Sequence, residues 1–367
     1  MIIKQDFSLK VRPHLNFIAF IKFLAMIYII KWHIYHWRKI KIDMGGRMCE
    51  ILFISSGFLV GYNYYQKYVP DSFTYSFKYI YKHFRTFYPL NLINILYGVY
   101  LYKKKLDRSH KEIVILNVLL LESWTRYVKK SILYHGVAWF LSALLFCYFL
   151  TPFLLKGITN IKNSIILFII FAFIRIEIEE YITKGSINLL DVNFHRGPII
   201  RCMEYYLGML MIPMFFKLKK FLDGIKDKFM IKIIFTLIQI NSPTIVYFFM
   251  YKYNFVLHRC YFVLIFCVFI FLIGYDYGYL SKIISHRFFK LIMGCQMEMY
   301  LFQMTLNNII NKIMRYIKMK FLYYPEFQFI IKIIIIFIVA FIYKILFKQK
   351  LAKMLDFIFI LIKSVFT

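Results

Sequence analysis

Lys22, His33 and Glu50 are the side chains in this sequence best suited to chemistry. Lys22 and His33 lie eleven positions apart in NFIAFIKFLAMIYIIKWH, a stretch that begins at Asn16 and is otherwise nearly free of charge. At 3.6 residues per turn, eleven residues return to within about 20° of the starting direction and rise roughly 16 Å, so both groups share one helix face at different depths. An imidazole so placed is a candidate general base, and an ammonium is a candidate anchor for an anion. Glu50 opens the next apolar run, CEILFISSGFL, in which Ser56 and Gly57 interrupt the hydrophobic residues. If the two segments are antiparallel neighbours, Glu50 comes beside the His33 ring, where a carboxylate would fix its tautomer and raise its basicity. A further pair, Lys82 and Arg85 in YIYKHFRTFYPLN, lies three residues apart ahead of Pro89. It suits a phosphate clamp or a basic anchor at a membrane face.

The segments that must position these groups are membrane spans. Hydrophobic residues make up 61% of the chain, aromatics 21%, and the mean hydropathy is +0.63, too apolar for a water-soluble domain. Apolar runs at 15–32, 49–65, 86–102, 135–155, 161–178, 199–216, 229–250, 258–275, 289–312 and 327–347 predict an all-α integral membrane protein with about ten transmembrane helices in one bundle. The run 113–121 is too short to span and predicts an interfacial or re-entrant piece. No linker divides residues 1–350, and 351–367 read as an interfacial tail helix carrying Lys353, Asp356 and Lys363. The polar, basic segment 1–13 predicts no cleavable leader.

Charge and cysteine usage narrow the partners. Forty-eight Lys and Arg against 18 Asp and Glu give a net charge of +30, spread over short loops with no basic tail. That pattern favours anionic lipid headgroups and topology signals over nucleic acid, which needs a contiguous basic face. Lysines after the sixth and tenth runs, with Lys4, Lys10 and Arg12, place both termini in the cytoplasm and the protein in the cell membrane. Lys22 then lies toward the cytoplasmic leaflet and His33 toward the outer one. The basic loop 103–111 runs against this orientation. Cys49, Cys147, Cys202, Cys260, Cys267 and Cys295 show no metal-ligand spacing, so neither disulfides nor a metal site is expected.

Other polar residues in apolar runs are candidates too. Trp139 and Tyr148 lie in AWFLSALLFCYFLTPFL, as a sugar platform or as interfacial rings. Ser56 before Gly57 either contacts substrate or permits close helix packing. Glu204 has Arg201 within a turn as a partner, Glu298 has none visible, and His195 and Arg196 sit in an expected outer loop.

The order of these motifs resembles acyltransferase family 3, the bacterial integral-membrane O-acyltransferases. The resemblance runs through Lys22 and His33, then Glu50, Leu52, Phe53, Ser56 and Gly57, then Lys82, Arg85 and Pro89. It continues through Trp139, Leu141, Ser142, Tyr148 and Pro152, then Arg201, Tyr205 and Gly208, and ends in EMYLFQ. Leu144 and Gln303 stand where many members carry Glu and His. The resemblance implies transfer of an acyl group, commonly acetyl, from cytoplasmic acyl-CoA to a sugar hydroxyl of a surface or exported glycan, without a metal. His33 would be the base or the acyl carrier and Glu50 would orient it. Lys22, Lys82 and Arg85 would hold the CoA phosphates, and Trp139, Tyr148 and Ser56 would meet the acceptor. A multi-pass transporter or flippase for a glycan or lipid-linked sugar fits the composition equally well.

Overall fold

The computed structural model describes residues 13–36, 45–102, 108–125, 134–183, 196–252, 261–317 and 324–366, and these are helical with no strand among them. The helices are α1 (Asn16–His36), α2 (Gly45–Tyr64), α3 (Phe73–Tyr102), α4 (Arg108–Val118), α5 (Ala138–Leu154), α6 (Ile161–Thr183), α7 (Pro198–Leu210) and α8 (Ile212–Asp223). There follow α9 (Phe229–Lys252), α10 (Phe262–Ile273), α11 (Tyr279–Ile284), α12 (Arg287–Met293), α13 (Gln296–Ile317), α14 (Pro325–Leu346) and α15 (Lys348–Phe366).

Five segments among the described residues are long and apolar enough to cross a membrane: Asn16–Tyr35, Ala138–Ile158, Pro198–Asp223, Phe229–Val246 and Pro325–Leu346. The expected count of ten is not reached on length and apolarity. The apolar helix α10 is too short, and polar or charged residues dilute α2, α3, α6 and α13. The expected run 289–312 is broken at Gly294, which ends α12 and receives Lys344 Nζ on its carbonyl at 2.7 Å.

The helices are inside-out relative to those of a water-soluble protein. On α14, Ile330, Ile334, Ile338 and Ile342 line the exposed face, while Gln328 and Lys332 are buried. On α6, Ile165, Ile169 and Phe173 are exposed, while Ser164, Arg175 and Glu179 are buried. Apolar stripes facing outward over a polar interior suit hydrocarbon as the surrounding medium.

α2 is the axis of the bundle, buried almost without interruption from Arg47 to Phe58. Its closest packing is against α7, where a methyl group added at Gly57 would fall on the Tyr205 carbonyl oxygen and one at Gly208 on the Ile54 carbonyl. Two backbones in contact through reciprocal glycines gain dispersion energy that larger side chains would prevent. On its other side α2 packs antiparallel to α1. Lys22 meets Ser56 at one end of that pair, and the Trp32 ring lies against Gly45 at the other. The start of α1 is fixed from a distance, since the Asn16 and Phe17 N–H groups donate to Asp276 at 2.6 and 3.0 Å.

The C-terminal helix begins at Lys348, three residues ahead of the expected 351. Its Asp356 accepts from Arg85 Nη1 at 2.6 Å and from the Tyr81 hydroxyl at 2.7 Å, docking α15 on α3. The short piece 113–121 falls in α4 and the turn after it. The Tyr88 hydroxyl donates to the Val118 carbonyl at 2.9 Å, so α4 runs back along α3.

Gly57→Leu is expected to separate α2 from α7 and to cost about 3 kcal/mol or more. Thermal unfolding of the detergent-extracted protein measures this, and a wild-type midpoint for the variant would contradict the close approach.

Candidate functional site

Three acid–base pairs, each within one helical turn, meet in the interior. Arg47 and Glu50 are on α2, Arg175 and Glu179 on α6, and Arg201 and Glu204 on α7. Arg47 Nη1 donates to Glu50 Oε1 at 2.6 Å and its Nη2 to Glu179 Oε1 at 2.7 Å. Arg175 Nη1 donates to Glu179 Oε2 at 2.7 Å, and its Nη2 and Nε donate to Glu204 Oε1 at 2.8 and 3.1 Å. Arg201 Nη1 closes the chain on Glu204 Oε2 at 2.6 Å. Arg175 Nη2 also lies 3.8 Å from Glu50 Oε1. All six side chains are buried, and their charges sum to zero. An isolated charge in this medium costs several kcal/mol, so the three helices can bring these groups inside only together. Aromatic faces complete the shell: Arg47 lies over Phe262 at 5.2 Å, and Arg201 over Phe53 at 5.7 Å and Trp139 at 5.8 Å.

The structure corrects one expected contact. Glu50 Oε1 accepts from Arg47, and Oε2 accepts no hydrogen bond among the described residues, so Glu50 does not orient the His33 ring by hydrogen bonding. Register explains it. With Lys22 beside Ser56 and Trp32 beside Gly45, the position on α1 level with Glu50 is near Tyr28. That is five residues, roughly 8 Å, below His33. A guanidinium one turn away also binds a carboxylate more strongly than a neutral imidazole does. His33 itself is partly buried, with its ring edge-on to Trp32 at 4.8 Å.

The other expected site residues divide between two regions. Lys22 Nζ donates to Ser56 Oγ at 2.9 Å, and Ser56 Oγ donates to the Leu52 carbonyl at 2.6 Å. Trp139, at the first turn of α5, joins the charge network through Arg201. Tyr148 is nine residues further along α5, about 14 Å away, and so does not share a site with Trp139. Its ring stacks on His83 at 4.4 Å and meets Tyr79 and Tyr205 edge-on at 5.7 and 6.4 Å. This cluster belongs to the helical stretch that carries Lys82, which is exposed, and Arg85, which is held by Asp356. Lys82 and Arg85 therefore do not form a joint clamp in this arrangement.

Sequence reasoning passed over Arg47, Arg175 and Glu179. The available signal was local: acid and base three or four residues apart inside otherwise apolar runs, repeated three times. It also passed over His135, buried between the Asn91 side chain at 2.8 Å and the Leu301 carbonyl at 3.2 Å. Nearby, Ser123 and Ser142 hydroxyls are 2.6 Å apart. The buried Glu122 carboxylate and Gln303 amide make no hydrogen bond among the described residues. Glu298, for which the sequence offered no partner, accepts from Lys348 at 2.5 Å. The five described cysteines are buried thiols, Cys260 and His195 lie outside the described residues, and no group of metal-ligating side chains occurs among the described residues.

No protein-family model matches the sequence, and no curated protein or solved structure matches the chain.

Arg175→Met would leave Glu179 and Glu204 short of their main partner in a buried setting, at a cost of about 3–5 kcal/mol. Yield of folded protein and its unfolding midpoint test this, and near-wild-type values for both would mean that the network is not integral to the bundle.

Proposed function

We propose that the chain is an O-acyltransferase of the cell membrane. It would transfer a short acyl group, acetyl by default, from cytoplasmic acyl-CoA to a sugar hydroxyl of a surface or exported polysaccharide. The bundle would cross the membrane about ten times with both termini in the cytoplasm. The observation that carries this reading is the α1–α2 pair, which sets a cation and an imidazole at opposite ends of one helix. Lys22 is tied to Ser56 at one end, and at the other His33 lies edge-on to Trp32, whose ring lies against Gly45. Trp139 and Arg201, from distant parts of the sequence, join the network that begins at Glu50 on the same α2.

In this reading His33 removes the proton from the acceptor hydroxyl as that oxygen attacks the thioester carbonyl. The carbon–sulfur bond breaks, and the departing CoA thiolate takes the proton from the imidazolium. Glu50 acts as a positioning residue, holding α2 against α6 and α7 through Arg47 and Arg175. Lys22 and Lys82 meet the phosphates of the donor, and Arg85 joins them when the donor displaces Asp356. The closed set of paired charges weighs against a glycan carrier, because alternating access would have to part ion pairs buried in a low-dielectric interior.

Membranes with and without the protein, incubated with radiolabelled acetyl-CoA, should differ in label carried by glycan. His33→Ala should lower transfer by about 100-fold or more at unchanged expression. Lys22→Arg should retain transfer, and Lys22→Met should raise the KM for acetyl-CoA. Wild-type transfer by the His33 variant would refute the mechanism, and no label above background in any glycan fraction would refute the activity.

A further inference from the structure

Arg196 stands apart from the other interior arginines. It lies just ahead of α7, is partly buried, and holds its guanidinium over the Trp139 ring at 5.8 Å. It makes no ion pair or hydrogen bond among the described residues. Among the described residues, the Tyr300 phenol and the Cys49 thiol are the titratable groups that act on it. The neighbouring network offers no compensation, since Arg47, Arg175 and Arg201 are matched by Glu50, Glu179 and Glu204. Trp139 is therefore within reach of two guanidiniums, of which Arg201 is neutralised by Glu204 and Arg196 has no carboxylate partner among the described residues.

A partly desolvated guanidinium whose donors meet no acceptor among the described residues is matched by an oxyanion that can accept two parallel hydrogen bonds. The indole beside it is only partly buried and offers a flat apolar surface on which the C–H face of a pyranose can stack. We propose that Arg196 and Trp139 form a subsite for an acidic sugar, with Trp139 carrying the ring and Arg196 pairing with its carboxylate or phosphate. The proposal builds on the acyltransferase reading by making the acceptor an anionic glycan. Its chemistry, an oxyanion on a pyranose, is common to uronic acids and sugar phosphates.

The full chain in lipid nanodiscs, titrated with oligosaccharides ending in glucose, glucuronate or glucose 6-phosphate and followed by tryptophan fluorescence, tests the subsite without requiring turnover. Both acidic sugars should bind about tenfold or more tightly than the neutral one. Whichever of the two binds better identifies the natural anion. Arg196→Gln should reduce the acidic-to-neutral ratio to about one, while Arg196→Lys, which keeps the charge and loses the fork, should retain part of it. Equal binding of glucose and glucuronate ends by the wild-type protein would overturn the proposal even if the Gln variant did not fold. An undiminished ratio in a folded Gln variant would do the same. Labelled acetyl transfer to the same oligosaccharides separates the two claims. Transfer without discrimination removes the acidic subsite and leaves the acyltransferase, whereas selective binding without transfer to any oligosaccharide keeps the subsite and removes the enzyme.

Discussion

Neutralising charge away from water is the constraint on which this bundle depends. Six of the charged side chains buried among the described residues form one network, and every one would be prohibitively costly alone. Their mutual pairing makes α2, α6 and α7 a single unit. Arg175 touches carboxylates from all three helices, so none of the three can rotate or slide without exposing a charge. The reciprocal glycines Gly57 and Gly208 act in the same direction, because they bring α2 and α7 close enough for Arg201 to lie over Phe53. Dispersion between backbones and Coulombic pairing between side chains thus select one arrangement jointly.

Much of the architecture was legible in the sequence because hydrophobic runs report helices with an apolar outer face directly. The helices α1, α9 and α14 match their apolar runs closely, and the amphipathic tail is readable from Lys353, Asp356 and Lys363 amid hydrophobic residues. The same rule weakens wherever a helix faces the interior. On α6, Arg175 and Glu179 sit within an otherwise isoleucine- and phenylalanine-rich surface, and their charges lower the hydropathy of a helix whose outer face is apolar. Hydropathy averages over the circumference of a helix, whereas only one side of α6 is exposed and apolar.

The interior itself was less legible, for a reason that Glu50 makes plain. The sequence shows that a carboxylate in an apolar run needs a partner, and it ranks candidates by separation along the chain. Arg47, one turn before it, meets that criterion, whereas His33 is a candidate only by adjacency across a helical hairpin. Adjacency across a hairpin depends on register, and register depends on contacts such as Lys22 with Ser56 that no single residue announces. Lys82 and Arg85 teach a related lesson. Three residues apart on one helix, they differ in surroundings because Asp356, some 270 positions away, reaches only Arg85.

Depth along the α1–α2 pair links these points to chemistry. Because the register places Glu50 below the level of His33, the carboxylate stabilises the scaffold beneath the imidazole rather than the imidazole itself. The imidazole is held instead against the Trp32 ring, edge-on at 4.8 Å, at the end of α1. The charge network then serves reactivity indirectly. It holds Trp139 and α7 at fixed positions around the upper end of α2, so that an acceptor resting there would meet a surface already organised before the donor arrives. Rigidity that originates in charge neutralisation becomes, one turn higher in the bundle, preorganisation of the proposed reacting groups.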